Sequence, residues 1–295
     1  MSDKYNQAIE ASNVIEDDAA VGAAVAKILE DNFDANNTME VHKFLLNVVD
    51  LTTLNATDSP SSVAAFVDRV NAFDEEHPEL LNVAAICTYP NFAQVVRTVL
   101  DVSDVDVCCV SGGFPSSQTF IEVKVAETAL AVEGGADEID IVLNLGNFLD
   151  GDFEECCDEM IEQKHACRDA RMKVILETGA LKTAANIKKA SILAMYCGAD
   201  FIKTSTGKGY PGASLEAAYV MCECIKEYYE KTGTMVGFKA AGGVRTVEEA
   251  VNYYCIVKAV LGEKWLTNEY FRIGASSLAN NLLSAILGEE TKFFN

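Results

Sequence analysis

From residue 46 onward the chain alternates between short, almost unbroken apolar runs and longer segments of helical periodicity. The runs occupy 46–51, 82–87, 105–110, 139–143, 173–177, 200–204, 235–239 and 270–275. Several are nearly continuous in apolar residues and rich in Val and Ile, which predicts strands covered on both faces. Between them, segments such as 182–197, 213–231 and 246–260 repeat apolar residues at helical spacing. Eight strand–helix units over about 240 residues have the number and length of a (β/α)8 barrel. A doubly wound sheet is the competing architecture. It would want a Gly-x-Gly-x-x-Gly turn after its first strand, and the sequence has none.

Residues 1–38 read as a helical extension ahead of a barrel domain at 39–295. Asp17-Asp18 is placed to cap a helix whose Val21, Val25, Ile28 and Leu29 share one face. The polar stretch Asp31-Asn32-Phe33-Asp34-Ala35-Asn36-Asn37-Thr38 is expected to break that helix. The start, Met1-Ser2-Asp3-Lys4-Tyr5-Asn6-Gln7, is polar and lacks a signal-peptide core. No run of 18 apolar residues occurs, so no membrane span is expected.

Composition narrows the partners. Of 295 residues, 49 % are hydrophobic and only 5 are proline, as expected of a chain that buries a large core. The net charge of −22, from 45 acidic and 23 basic residues, excludes nucleic acid and disfavours anionic membranes. A small anionic substrate would need a local island of positive charge. Ten cysteines fall in predicted strands and helices, which suits buried thiols in a reducing cytoplasm better than disulfides. Cys222-x-Cys224 has no histidine nearby, and no metal site is expected.

Chemistry in such a barrel sits at the C-terminal ends of the strands. Those ends supply Asp50, Cys87, Asp140, Glu177, Lys203, Lys239 and the turn Gly274-Ala275-Ser276-Ser277. Two lysines and several carboxylates thus converge on one face. Lys203 ends the run Asp200-Phe201-Ile202-Lys203 and is a candidate amine nucleophile. A neutral amine is favoured by partial burial and by a second cation, and Lys239 on the next strand would be that cation. Phosphate anchors, or ion-pair partners for Asp140 and Glu177, are the other roles open to the two lysines. Alternation with Ile139 and Ile141 points Asp140 into the barrel, where it could relay protons. Asp137 and Glu138 are expected at the solvated strand entry. Gly207-Lys208, Gly242-Gly243 and Gly274 to Ser277 follow strands six to eight, where barrels bind phosphate, and Arg245 adds charge. Cys87 is expected to wall the pocket. His42, His77 and His165 fall in helical or loop segments and are expected at the surface.

These motifs resemble one family closely. Asp50-Leu51-Thr52-Thr53-Leu54-Asn55, Ala85-Ile86-Cys87-Thr88-Tyr89-Pro90, Gly135 to Asp140, Val174 to Gly179, Phe201 to Lys208, Gly237-Phe238-Lys239, Ala241 to Thr246 and Gly274 to Leu278 look like deoxyribose-phosphate aldolase. The similarity runs from about residue 46 to 287. It implies a cofactor-free, metal-independent class I aldolase. Such enzymes reversibly cleave 2-deoxy-D-ribose 5-phosphate to D-glyceraldehyde 3-phosphate and acetaldehyde, a step of deoxyribonucleotide catabolism. By position, Lys203 matches the Schiff-base lysine, Lys239 the lysine that tunes it and Asp140 the proton relay. Gly207, Lys208, Gly242, Gly243, Arg245, Ser276 and Ser277 match the phosphate and substrate-chain site, and Asp50, Thr52, Cys87 and Gly274 are counted with them. The family commonly dimerises, which carries over to a homodimer only by analogy.

The chain departs from the family pattern in three places. Ala240 stands where members often carry proline, the chain ends Lys292-Phe293-Phe294-Asn295 without the tyrosine of some members, and the first 40 or so residues exceed the compact pattern. A competing reading is an aldolase-fold protein with weak or lost turnover, retained to bind a protein or a sugar phosphate. Retention of Lys203, Lys239 and Asp140 together argues for the enzyme.

Overall fold

The computed structural model describes residues 3–295. Met1 and Ser2, part of the polar start, lie outside the described residues. In chain order the elements are α1 (Asp3–Glu10), α2 (Asp18–Asn36), α3 (Met39–Asn47), β1 (Val49–Thr52), α4 (Pro60–Glu76), β2 (Ala85–Thr88), α5 (Ala93–Val99), β3 (Asp106–Val110), α6 (Ile121–Glu133) and β4 (Glu138–Val142). They continue with α7 (Leu145–Asp150), α8 (Phe153–Cys167), β5 (Arg171–Ile175), α9 (Thr178–Leu181), α10 (Ala184–Tyr196), β6 (Phe201–Lys203), α11 (Leu215–Thr232), β7 (Gly237–Ala241), α12 (Val247–Leu261), β8 (Phe271–Ala275) and α13 (Ser277–Leu287). The eight strands are all parallel and close into a barrel in sequence order, β8 pairing with β1.

Alternation along each strand sends one set of side chains out and the other in. Outward residues such as Leu51, Ile86, Val107, Ile139, Val174, Ile202, Phe238 and Ile273 join the helices in a single apolar sheath. Inside, a small apolar cluster lies beside β2 and β3, made of Leu54, Ala85, Cys87, Cys108 and Val110, and the buried Phe201 ring meets Lys173 and Arg272. Much of the remaining interior is ionic. All ten cysteines are buried as thiols.

Each predicted strand overlaps an observed one, but the edges differ for physical reasons. In the first run, Leu46 and Asn47 complete α3 and the strand starts at Val49. An apolar run alone does not separate a buried helix end from a strand. Asp50, Asp140 and Lys239 sit within their strands, below the ends, and Glu177 lies two residues beyond β5. The polar stretch at 31–38 does not break α2 where expected: the helix continues through Asn36. Asn32 and Asn36 donate their amides to the carbonyls of Ile28 and Asn32, so both polar side chains serve the helix. The buried Asn36 also accepts from Lys258 of α12 at 2.9 Å.

The residues before the barrel pack on it. α1 lies on α10, and α2 lies against α11 and α12 with Val21 and Val25 buried. Asp17 caps α2 by accepting from Ala20 N–H. Lys188, 3 % exposed, donates to the carbonyls of Ser12 and Val14 and to the Glu16 carboxylate. At the other end, Phe293 and Phe294 stack around Phe73 of α4. Phe294 N–H donates to Asn280 of α13 at 2.9 Å. Among the described residues no helix is long and apolar enough to cross a membrane.

Candidate active site

At the C-terminal ends of the strands lies a cavity of about 270 Å³. Its lining includes ten of the residues expected from sequence: Thr52, Lys203, Gly207, Lys208, Gly242, Gly243, Arg245, Gly274, Ser276 and Ser277. The other four, Asp50, Cys87, Asp140 and Lys239, lie below its floor and are fully buried. Cys87 is therefore not a wall of the cavity. It faces Cys108 across the β2–β3 ladder, in the interior apolar patch.

Lys203 is the last residue of β6 and stands directly opposite Lys239 of β7 in the ladder. Both ammonium groups reach the same oxygen of Asp140, Oδ2, at 2.7 and 2.8 Å. The other oxygen, Oδ1, takes Lys173 Nζ and the Cys108 thiol, each at 3.2 Å. Lys239 also pairs with Asp50 at 2.5 Å. Burial works against ionising Asp140, but Lys173, Lys203 and Lys239 together outweigh it and hold its pKa well below the carboxylate range. Burial likewise opposes the charge on Lys239. Asp140 and Asp50 reverse that and lift it above the ordinary lysine value, so Lys239 remains a cation.

Lys173, Glu138 and Arg272 were not expected here. Glu138, placed by sequence at a solvated strand entry, is fully buried, whereas Asp137 is exposed as expected. Glu138 pairs with Lys173 and accepts both terminal nitrogens of Arg272 at 3.1 and 3.2 Å. Arg272 also donates to Asp50 at 2.6 Å. The signal was available: Glu138 and Asp140 share one face of β4, so the alternation that turns Asp140 inward turns Glu138 inward too. Three buried anions, Asp50, Glu138 and Asp140, thus match three buried cations, Lys173, Lys239 and Arg272. Lys203 is the fourth cation, and the lattice is neutral when its amine is neutral.

The upper wall is made of glycine and serine turns. Gly242 and Gly243 have φ of +84° and +90°, and a Cβ at the neighbouring Gly212 would lie 2.0 Å from the Gly242 carbonyl oxygen. Only glycine permits this contact, which brings the loops after β6 and β7 together beside the cavity. Ser276 is the N-cap of α13 and Ser277 its first residue, where the first-turn N–H groups have no intrahelical acceptor. Arg245 and Lys208 are exposed at the rim. Lys208 Nζ spans the mouth to the Leu54 carbonyl at 2.8 Å. Ala240 is on the outer face of β7 in the apolar sheath, so the departure from proline there does not alter the cavity. Phe293 and Phe294 do not line it either. Among the histidines, His165 is exposed, while His42 and His77 are half-buried and none lines the cavity.

Residues 44–283 match the model of the DeoC/LacD family aldolases. A Caenorhabditis elegans relative is 42 % identical over 272 residues, covering 92 % of this chain and 89 % of its own. The deoxyribose-phosphate aldolase of Mus musculus is 40 % identical over 247 residues, covering 79 % of this chain and 77 % of its own. The solved structure of QR15, an aldolase, superposes with a TM-score of 0.66 at 29 % identity and covers 82 % of this chain and 96 % of its own. A buried lysine–aspartate centre beneath a glycine-lined cavity, on a barrel this similar in sequence, places the chain: it belongs to the DeoC/LacD family of aldolases.

Proposed function

We propose that the protein cleaves 2-deoxy-D-ribose 5-phosphate reversibly to D-glyceraldehyde 3-phosphate and acetaldehyde through a Schiff base on Lys203. The observation that carries the reading is the position of Lys203. It is 3 % exposed, opens on the cavity floor and touches Asp140 at 2.7 Å. The glycine and serine turns line the same cavity, so an amine and an anion site serve one small substrate.

Asp140 gives the departing proton of Lys203 an acceptor. The neutral amine adds to the substrate aldehyde and water leaves, forming a protonated imine. Removal of the C3 hydroxyl proton then breaks the C2–C3 bond. The bonding electrons pass into the imine, and glyceraldehyde 3-phosphate departs. Protonation of the remaining enamine carbon and hydrolysis release acetaldehyde and restore Lys203. Asp140, in contact with the Lys203 nitrogen, starts this cycle as proton acceptor and returns protons through water. Lys239 keeps positive charge beside the nitrogen, which favours the neutral amine. Gly242, Gly243, Ser276 and Ser277 offer backbone N–H groups and hydroxyls to the phosphate, with Arg245 and Lys208 adding charge at the rim. Asp50 holds Lys239 and Arg272 in place, and Thr52, on β1 beside β8, lines the same cavity.

Residues 1–38 serve in this reading as a helical layer on the barrel domain at 39–295. The buried free thiols suit a cytoplasmic protein. A homodimer follows by analogy alone and would appear in sedimentation velocity. Nothing in the site favours a binding module without turnover, since the charged centre is complete.

The test is a coupled assay of 2-deoxyribose 5-phosphate cleavage, with borohydride trapping read by mass spectrometry. Turnover with an adduct on Lys203, and loss of both in Lys203→Ala with circular dichroism unchanged, is the expected result. An adduct on another residue, or wild-type turnover in Lys203→Ala, sinks the assignment.

A further inference from the structure

We propose that Glu177 is a positioning residue that sets the preference for a phosphorylated substrate by holding Thr206, and with it the turn from Thr206 to Lys208. The proposal rests on the aldolase reading above.

Glu177 occupies an unusual place. On one side Leu176 N–H donates to the Lys203 carbonyl, and on the other Thr178 N–H donates to the Thr204 carbonyl, both at 2.9 Å. Between these stitches the Glu177 backbone adopts φ of +55°, in the left-handed region that side chains other than glycine rarely enter. The kink directs its carboxylate, in a residue 1 % exposed, onto Thr206 of the next strand end. It accepts the Thr206 backbone N–H at 3.3 Å and the Thr206 hydroxyl at a short distance. A buried carboxylate in a strained backbone persists where the surroundings hold it there, and such sites cluster around function. Burial pushes the Glu177 pKa up, and the Thr206 bonds partly oppose that shift.

The hydrogen bonds have a fixed sense. An ionised carboxylate only accepts, so the single proton of the Thr206 hydroxyl goes to Glu177. The hydroxyl oxygen is then free to accept Lys208 N–H, at 3.0 Å. Glu177 therefore orients Thr206, and Thr206 orients Lys208. The same loop is gripped a second time at its far end. A Cβ on Gly179 would lie 2.3 Å from the Pro211 carbonyl oxygen, so α9 packs directly against that segment.

Thr206, Gly207 and Lys208 line the cavity, whereas Glu177 does not. The Lys203 backbone is held by the β5–β6 and β6–β7 ladders. The Glu177 charge also acts on Lys203, but any effect on the nucleophile is common to both substrates and cancels in their ratio, whereas loosening Glu177 should disturb the anion end of the site for the phosphorylated sugar alone. The expected signature is a loss of discrimination between substrates with and without phosphate.

The experiment measures kcat and KM of wild type and Glu177→Gln on 2-deoxyribose 5-phosphate and on 2-deoxyribose. The ratio of the two kcat/KM values is expected to fall about tenfold in the variant, the worth of a hydrogen bond to a charged group. The fall should lie mainly in KM for the phosphorylated sugar. A ratio within twofold of wild type overturns the proposal, whether both activities are kept or both fall together. Should Glu177→Gln fail to fold, Thr206→Val and Thr206→Ser carry the test. Thr206→Ser is expected to retain more of the ratio than Thr206→Val, and equal ratios in the two overturn it. Absence of wild-type activity on the phosphorylated sugar would instead strike the aldolase reading itself.

Discussion

The two faces of the same eight strands are different solvents. Outside, Ile139, Val174, Ile202, Phe238 and Phe271 are fully buried in an apolar sheath with the helices. Inside, residues one step along the same strands are Glu138, Asp140, Lys173, Lys203, Lys239 and Arg272, also buried, but paired in one ionic lattice. The outer face is held by area removed from water and tolerates shape changes in proportion to volume. The inner face is held by mutual charge compensation, where removing one member leaves another uncompensated. Barrel interiors are usually filled by branched apolar side chains. Here much of the filling is charged, and it reaches Lys203 at the top through Asp140.

The largest expected effect is on the inner face. Lys173→Met leaves Glu138, Asp140 and Asp50 short of a cation and is expected to lower stability by about 3–5 kcal/mol, by the usual cost of breaking a buried pair. Guanidinium unfolding measures it, and a variant as stable as wild type would mean the lattice does not hold the barrel. Next is Ile139→Ala, on the outer face of the strand that carries Asp140. Its cavity should cost about 2–4 kcal/mol and leave kcat at 25 °C nearly intact. A large fall in kcat in the folded variant would erase the division between the faces.

Third comes Lys239→Leu, which removes the permanent cation beside Lys203. The acid limb of the kcat/KM profile should move to higher pH by about one unit, equal to about 1.4 kcal/mol. An unmoved limb would remove Lys239 from its tuning role. The smallest effect belongs to the lower rim of the barrel. Burial, with Glu138 beside it, pushes Asp106 up to about 6, against partial relief from Arg272 and Arg171 and a further push from Asp137. The folded state therefore binds this proton more tightly than the unfolded chain. Its contribution is present below the unfolded value and is lost as pH rises through about 6. Asp106→Asn should thus stabilise the protein at pH 8 by about 1 kcal/mol, allowing for its partial exposure, and hardly at all at pH 4. Equal shifts at both pH values in thermal unfolding would contradict the sign.

The outer face was legible from the sequence because apolar periodicity is what secondary structure leaves in a chain. All eight strands could be located, and so could ten of the sixteen residues lining the cavity, since glycines and hydroxyls after strands mark loops at one rim. The lower interior was harder. Lys173 opens its apolar run and Arg272 interrupts another, and neither spacing nor composition says which charges meet across a barrel. Glu138 was misplaced because a charge at a strand start usually meets water. Only closure of the sheet brings it to Arg272, 134 positions along the chain. Glu177 was read as a strand end and a possible ion-pair partner of the lysines, and its hold on Thr206 was missed, because its left-handed backbone leaves no trace in a glutamate. α2 ran past its expected stop since asparagines that bond back to their own helix are indistinguishable by type from those that end one.

The ten hidden thiols give the molecule a built-in clock for how it opens. Cys87 and Cys108 lie within the barrel, and the other eight lie in the sheath outside it or in the helices that cover it. An alkylating reagent added to the native protein can reach a thiol only when its own neighbourhood parts. The order in which the ten react therefore records whether the helices peel from the strands before the strands part from one another.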